Sequence, residues 1–254
     1  MHVVITGASS GIGAALARAY FARGAAVTLV ARRKDLLDAL AAESQHPVHV
    51  VQADLTRSEE VLSWVSGAQE KLGPIDVLIN NAGVQIVKAF HQTPWEDAQR
   101  MLELDLLSPL RLSQHVVTGM ISRGRGTLVD ISSMAGIAPT PGMAFYNAAK
   151  AGLGGASESL RAELKPHGVH VVTVYPGPVS TPLEQAGRAA YEPSLAARIL
   201  APTGKAEVLA ALVIRAVERK RARVIYPRMM VLARHFPAIT RWVLDHFTPP
   251  LITH

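Results

Sequence analysis

The 254-residue chain contains no cysteine. Disulfide bridges, thiolate metal sites and cysteine nucleophiles are thereby excluded, and the absence suits a reducing compartment. Long apolar runs are also missing: none reaches the roughly 18 residues that a membrane-spanning helix needs. The ten histidines show neither metal-ligand spacing nor paired acidic partners, so no metal is expected. No linker, low-complexity tract or internal repeat breaks the chain. A strand and a glycine loop follow Met1 within a few residues, so no signal peptide is expected ahead of the fold, and the expected location is cytoplasmic.

What is present describes one large globular domain. Hydrophobic residues make up 49% and charged residues 18% of a chain long enough to bury a real core. The net charge is +6, but it is unevenly placed. The stretch from Arg215 to Arg241 holds eight Lys/Arg against one acid, Glu218, and leaves the rest of the chain nearly neutral. That distribution argues against a general nucleic-acid surface.

Strand-like and helix-like patterns alternate along the chain. Strands are expected over 2–5, 26–30, 48–51, 75–79, 126–131, 169–174 and 223–226, with helices between them. The expected fold class is α/β: a single Rossmann-like, doubly wound, seven-stranded parallel sheet with helices on both faces. Residues 1–226 form this domain and 227–254 a C-terminal amphipathic extension, packed on it or on a partner.

The first β–α junction reads Thr6-Gly7-Ala8-Ser9-Ser10-Gly11-Ile12-Gly13. Strand, glycine loop and helix in succession is the context in which a glycine motif points to a dinucleotide. Gly7 allows the tight turn, Gly11 and Gly13 permit close backbone approach, and Ser9, Ser10 and Ile12 share the loop. The helix N-terminus then offers free N–H groups to a pyrophosphate. After the second strand, a carboxylate would suit a free ribose 2′-hydroxyl. The sequence lacks one and has Arg32-Arg33-Lys34 instead, which suits a 2′-phosphate and therefore NADP(H) over NAD(H). Arg32 lies nearest the strand and is the first candidate ligand, with Arg33 beside it. Asp54, followed by Leu55, either accepts from the adenine amino group or caps the next helix. Asn80-Asn81-Ala82-Gly83 ends the fourth strand, where an open parallel sheet binds ligands; the asparagines also suit bridging between strands.

Tyr146 and Lys150 lie four residues apart, a spacing that stacks them on one face of a helix. An ammonium about 4 Å from a phenol, at an effective dielectric of about 20, favours phenolate by roughly 4 kcal/mol. That is about three pKa units, enough to bring a tyrosine toward working pH. Ser133, at the end of an apolar strand, is placed to hydrogen-bond the oxygen that Tyr146 protonates. Tyr175-Pro176-Gly177-Pro178-Val179-Ser180-Thr181-Pro182 leaves another strand's end and is expected to face the same crevice.

These motifs, in this order and spacing, resemble the short-chain dehydrogenase/reductase family across essentially the whole chain up to Tyr226. The matching residues are Thr6-Gly-x-x-x-Gly11-x-Gly13, Asn80-Asn81-Ala82-Gly83, Ser133, Tyr146-x-x-x-Lys150 and Pro176-Gly177. The resemblance implies NAD(P)-dependent reduction of a ketone or aldehyde, or oxidation of an alcohol. Tyr146 would be the general acid/base and Ser133 would hold the substrate oxygen. Lys150 would bind the nicotinamide ribose and lower the Tyr146 pKa, while Val179 and Thr181 would contact the nicotinamide carboxamide. A homodimer or homotetramer is implied, through the Leu-rich 95–118 stretch and the helix from Ala144. One position departs from the family. Its usual asparagine on the long apolar helix is replaced by Asp105, whose carboxylate is placed to pair with Lys150 and weaken the field on Tyr146. Activity is expected to persist with a shifted pH profile.

Beyond Tyr226 the resemblance gives little. Met229, Leu232, Phe236, Ile239 and Val243 form an apolar helical stripe, with Arg228, Arg234 and Arg241 off it and Pro237 expected to split the helix. Two readings apply: a helix closing the substrate pocket or packing on a partner subunit, and a basic amphipathic helix making peripheral contact with an anionic membrane. Residues 188–202 are weakly patterned and read as a flap over the substrate. The expected activity is hydride transfer between NADP(H) and the carbonyl or secondary alcohol of an apolar small molecule. The alternative is a non-catalytic NADP(H)-binding sensor or scaffold.

Overall fold

The computed structural model describes residues 1–195 and 201–252. The 188–202 segment read as a flap therefore lies partly outside the described residues.

Seven parallel strands form one sheet: β1 (His2–Thr6), β2 (Ala26–Ala31), β3 (Val48–Gln52), β4 (Val77–Asn80), β5 (Gly126–Ile131), β6 (Val169–Pro176) and β7 (Arg223–Tyr226). Their order is β3-β2-β1-β4-β5-β6-β7. The order reverses at β1, between β2 and β4, and ligands bind at such a switch point in open α/β sheets. The sequence reading of a doubly wound, seven-stranded parallel sheet is the fold that forms.

Burial on both faces makes the strands apolar throughout. Val3 and Ile5 point to one core, with Leu16, Ala17 and Tyr20 of α1 (Gly11–Phe21), Leu37 and Leu40 of α2 (Lys34–Ala41), and Leu209 and Val213 of the helix Ala206–Glu218. Val4 and Leu78 point to the other. There they meet Val61 of α3 (Ser58–Ser63), Val65 and Ala68 of α4 (Val65–Leu72), and Leu112, Val116 and Met120 of a long helix further on. This alternation follows from the two-residue period of a strand.

The Leu-rich 95–118 stretch falls within a helical run of three parts. These are α5 (Trp95–Leu102), a π-helical turn (Glu103–Leu107) and α6 (Ser108–Ser122). The π-turn immediately precedes Ser108 and Pro109, which sit in the first turn of α6. The widened turn carries Asp105, and π-turns of this kind recur at functional sites. Helix α7 (Ala144–Leu164) has the expected bounds and carries Tyr146 and Lys150. The chain continues through α8 (Pro182–Arg188) and α9 (Ala206–Glu218) to β7.

After β7, Pro237 divides the tail into α10 (Met230–His235) and α11 (Pro237–Phe247). The end of the chain returns to the body, where Ile252 N–H donates to Ala190 O (2.9 Å) and Glu192 N–H to Pro250 O (3.0 Å). Arg241 donates to Pro139 O at 3.0 Å. No described helix is long and apolar enough to cross a membrane.

Candidate active site

A cavity of about 1800 Å³ opens at the carboxyl edge of the sheet. A single small-molecule site occupies roughly 300–1,000 Å³, so this space has room for more than one ligand. Its nucleotide end is lined by Gly7, Ser9, Ser10, Gly11, Ile12, Arg32, Arg33, Asp54, Leu55, Asn81, Ala82 and Gly83. Gly13 lies beneath this lining. A Cβ there would collide with Gly7 O and sit 2.6 Å from Asn81 Nδ2, so the close packing of α1 on the turn demands glycine. Asn81 Nδ2 in turn donates to Thr6 O (2.9 Å) and Gly7 O (3.2 Å), holding the turn against the end of β4. Asn80 is buried and donates to Ser113 Oγ (2.8 Å) and Asp130 Oδ1 (2.7 Å), the bridging role anticipated for it.

The residues at this end fit a phosphorylated dinucleotide. Ser10 precedes α1 without capping it, so the first N–H groups of the helix are left for an anion. Arg33 Nη2 donates to Ser9 Oγ and Ser10 Oγ, both at 2.9 Å, which holds a guanidinium beside the turn. Arg33 therefore has a defined position at least as suitable as that of Arg32, the residue favoured by proximity to the strand. Asp54 accepts from Thr56 N–H (3.1 Å) and Thr56 Oγ1 (2.9 Å). It is not the cap of α3, whose preceding residue is Arg57, so the capping reading is set aside.

At the other end of the edge, β5 delivers Ser132 and Ser133 beside α7. Ser132 Oγ donates to Lys150 O at 2.7 Å, a buried tether of helix to strand that the sequence reading passed over. Ser133 Oγ accepts from Ala135 N–H at 3.0 Å and donates to Pro176 O at 3.5 Å. Ser133, Tyr146, Lys150, Pro176, Gly177, Val179 and Thr181 all border the cavity. Thr181 Oγ1 accepts from Glu184 N–H and so caps α8, a structural role the sequence reading did not assign it.

Lys150 is 4% exposed. Its Nζ lies 5.7 Å from the centroid of the Tyr146 ring, donates to Ile131 O at 3.2 Å and stands 3.9 Å from Asp105 Oδ2. Asp105 is fully buried. Its Oδ1 accepts from Val84 N–H at 2.9 Å, while Oδ2 has no hydrogen bond. Gly83 makes room for this pair, since a Cβ there would stand 2.8 Å from Asp105 Oδ1 and 3.3 Å from Lys150 Nζ. Burial pushes the Asp105 carboxyl up to about 6, with Lys150 and the Val84 amide pulling in the opposite direction.

One expectation from the sequence is corrected here. The lysine was expected to lower the Tyr146 pKa. Instead the phenol is held above its ordinary value, first by burial and then by the charge of Asp105, while the Ser133 hydroxyl acts to lower it. Lys150 pairs with Asp105 and the Ile131 carbonyl, so its field on the phenol is offset. The anticipated weakening by Asp105 has a direct geometric cause in that 3.9 Å pair.

The tail closes the cavity from above. Met229, Met230, Leu232, Ala233, Phe236, Ile239, Val243 and Phe247 line it, as do Pro178 and Leu183. Tail residues were expected to close a pocket, but nothing in the sequence showed which loops they meet. Gln85, Met143 and Tyr191 also line this part, and no sequence signal had marked them.

Comparison with known proteins agrees with this geometry. The family model for short chain dehydrogenase matches residues 1–192. A fatty acyl-CoA reductase of Mycobacterium tuberculosis is 36% identical over 188 residues, covering 72% of this chain and 64% of its own length. The 3-ketodihydrosphingosine reductase of Bos taurus is 36% identical over 189 residues, covering 71% of this chain and 57% of its own. This chain thus spans about three fifths of the length of these two relatives. A short-chain dehydrogenase from Sphingobium yanoikuyae, solved in complex with NADPH, superposes with a TM-score of 0.81 at 34% identity, covering 96% of this chain and 95% of the other. With its glycine turn, its Ser-Tyr-Lys arrangement and a family match over three quarters of its length, the chain belongs to the short-chain dehydrogenase/reductase family.

Proposed function

We propose that the protein interconverts a carbonyl and a secondary alcohol on an apolar small molecule, using NADP(H). The observation that carries this reading is the cavity itself. It joins the glycine turn and Arg33 at one end to Ser133, Tyr146 and Lys150 at the other. NADP(H), held by Gly7, Ser9, Ser10, Gly11, Ile12, Arg32, Arg33, Asp54 and Leu55, with Asn81, Ala82, Gly83, Pro176, Gly177, Val179 and Thr181 toward its nicotinamide end, would supply or accept the hydride. The uncapped amides of α1 and two guanidinium groups, with no carboxylate at the end of β2, support NADP over NAD.

In reduction, Ser133 Oγ orients the carbonyl oxygen. As the carbon gains a hydride, that oxygen takes the Tyr146 proton and becomes a hydroxyl. The phenolate left behind is stabilised by Lys150 and reprotonated from solvent. A phenol held above its ordinary pKa stays protonated at neutral pH, which is the form that reduction consumes. Asp105 acts on Tyr146 and Lys150 through its charge. The alternative of a non-catalytic NADP(H)-binding protein draws support from that same carboxylate, since it offsets the lysine.

Residues 227–252 serve as the roof of the substrate site. Their apolar side chains line the cavity, which supports pocket closure over peripheral membrane contact. Assembly as a homodimer or homotetramer draws support from Leu107, 48% exposed beside an apolar hollow between α6 and α7.

NADPH oxidation followed at 340 nm against neutral ketones and aldehydes tests the proposal. Turnover that disappears in Tyr146→Phe, with NADPH still bound, is the expected result. Cofactor binding with no turnover across the panel would favour the sensor reading.

A further inference from the structure

The roof carries apolar surface that the protein itself leaves bare. Leu232 and Ile239 are 61% exposed, and Phe236, Met229 and Phe247 are 44–53% exposed. All five line the cavity that contains Tyr146. Exposed apolar residues gathered inside one concavity call for a ligand, whereas scattered ones need no explanation. Trp242, on the same helix and 56% exposed, does not line the cavity. The cavity-facing stripe is therefore distinct from the outer face of α11.

Charge narrows the occupant. Among the described residues, the charged side chains lining the substrate half, apart from Lys150, which is held by Asp105 and Ile131 O, are Glu184, Arg188 and Glu192. Arg188 is already engaged, donating to Glu184 Oε1 (2.7 Å) and Thr203 Oγ1 (3.2 Å). The two acids outnumber the one cation, so an anionic group in this half would meet repulsion and no unengaged partner. Of the tail's arginines, Arg234 is committed to Glu158 and Arg241 to Asp245 and Pro139 O, and Arg228 does not line the cavity.

We infer that the substrate is a ketone, or the corresponding alcohol, carrying a long, flexible and uncharged hydrocarbon tail laid along the stripe under α10 and α11. This rests on the reading of the cavity as a carbonyl site beside Tyr146. An 11-residue helix is about 16 Å long, which matches an extended chain of about a dozen carbons. Leu232, Phe236 and Ile239 select for that tail, since each methylene drawn out of water adds to binding.

The test is titration calorimetry of the full chain with 2-alkanones from six to fourteen carbons, with and without NADP. Affinity is expected to rise about two- to fourfold per methylene, as partial to full burial of a methylene implies, and to level off near twelve to fourteen carbons. Placing a carboxylate at the far end of the twelve-carbon ketone should weaken binding at least tenfold. Ile239→Asp, at a site exposed in the free protein, should flatten the ladder, whereas Trp242→Ala should leave its slope intact. A flat ladder in the parent protein, or equal affinity for the carboxylated ketone, would overturn the inference. If NADPH is oxidised with short ketones while the ladder is flat, the carbonyl reading stands and this one fails. A steep ladder without NADPH oxidation would keep the tail slot and remove the assigned chemistry.

Discussion

The wall and the roof of the cavity are built on opposite plans. The wall consists of side chains buried at the sheet edge. Asp105, Lys150 and Tyr146 are at most 7% exposed, and each is fixed through strand ends or the π-helical turn. The roof is two short helices, α10 and α11, without a single buried residue. It is tied to the body by a few contacts: the Arg234–Glu158 pair (3.5 Å), Arg241 to Pro139 O, and the backbone bonds near Pro250 and Ile252. On the proposed reading, chemistry that tolerates little displacement would sit on the rigid element, and selection among apolar ligands on the weakly held one.

Changes to the wall should damage rate, and changes to the roof should damage selection. The largest effect expected is from Tyr146→Phe, which removes the proton donor and should lower kcat by about 10³-fold or more while leaving NADPH binding within about twofold. Stopped-flow binding alongside steady-state rates would check this, and a mild loss would break the assignment of Tyr146 to the wall's chemistry. At the nucleotide end, Arg33→Ala should raise KM for NADPH about tenfold, the cost of one charged hydrogen bond to phosphate, and leave KM for NADH nearly unchanged. Equal losses with both nucleotides would mean that Arg33 only braces Ser9 and Ser10.

Asp105 sharpens the comparison within the wall. Its carboxyl titrates near 6, so above that pH its charge holds the Tyr146 proton more firmly, and below it that hold is released. Alcohol oxidation needs the phenolate. Asp105→Asn should therefore move the alkaline rise of the oxidation rate to lower pH by about one unit, and should remove the inflection near pH 6 expected of the parent protein. An unchanged pH–rate profile would leave the carboxylate with a packing role only.

The division between wall and roof also explains what could be read from sequence. Gly7, Gly13, Ser133, Tyr146 and Lys150 were legible because backbone geometry and chemistry restrict each position to very few residue types. The seven strands were legible because burial on both faces leaves a plain apolar signature, and α7 showed its full extent for similar reasons. The offset of Lys150 by Asp105 was visible as a pairing and a weakened field, but the net direction of the Tyr146 shift was not. The sign of the Tyr146 shift depends on burial and on the distance between charges, which spacing along the chain does not encode. The roof was visible only as an amphipathic stripe. It lines the cavity together with Pro178, Leu183 and Tyr191, in segments whose sequences accept many apolar residues equally well.

The smallest effect expected lies where wall and roof meet, at Glu158. This carboxylate, on α7, pairs with Arg161 and with Arg223 of β7, reaches Arg234 of α10 at 3.5 Å and accepts from Tyr175 Oη at 3.2 Å. Burial acts to raise its pKa, but the Arg223 and Arg161 hydrogen bonds and charges outweigh it and hold the group at about 2. A carboxylate with a depressed folded pKa stabilises the protein fully above its unfolded value near 4.5, and that contribution is lost as pH falls toward 2. Part of the gain is screened at this partly exposed site, leaving about 1–2 kcal/mol near neutral pH. Glu158→Gln should therefore lower Tm by a few degrees at pH 7, with the gap to the parent closing between about pH 4.5 and pH 2. Loss of the α10 anchor should also raise KM for a long-chain ketone several-fold while kcat changes by less than about twofold, because Arg234 holds the roof and touches none of the reacting atoms. A fall in kcat matching the rise in KM would mean that the roof's anchor also aligns α7, and the separation of rate from selection would fail at that residue.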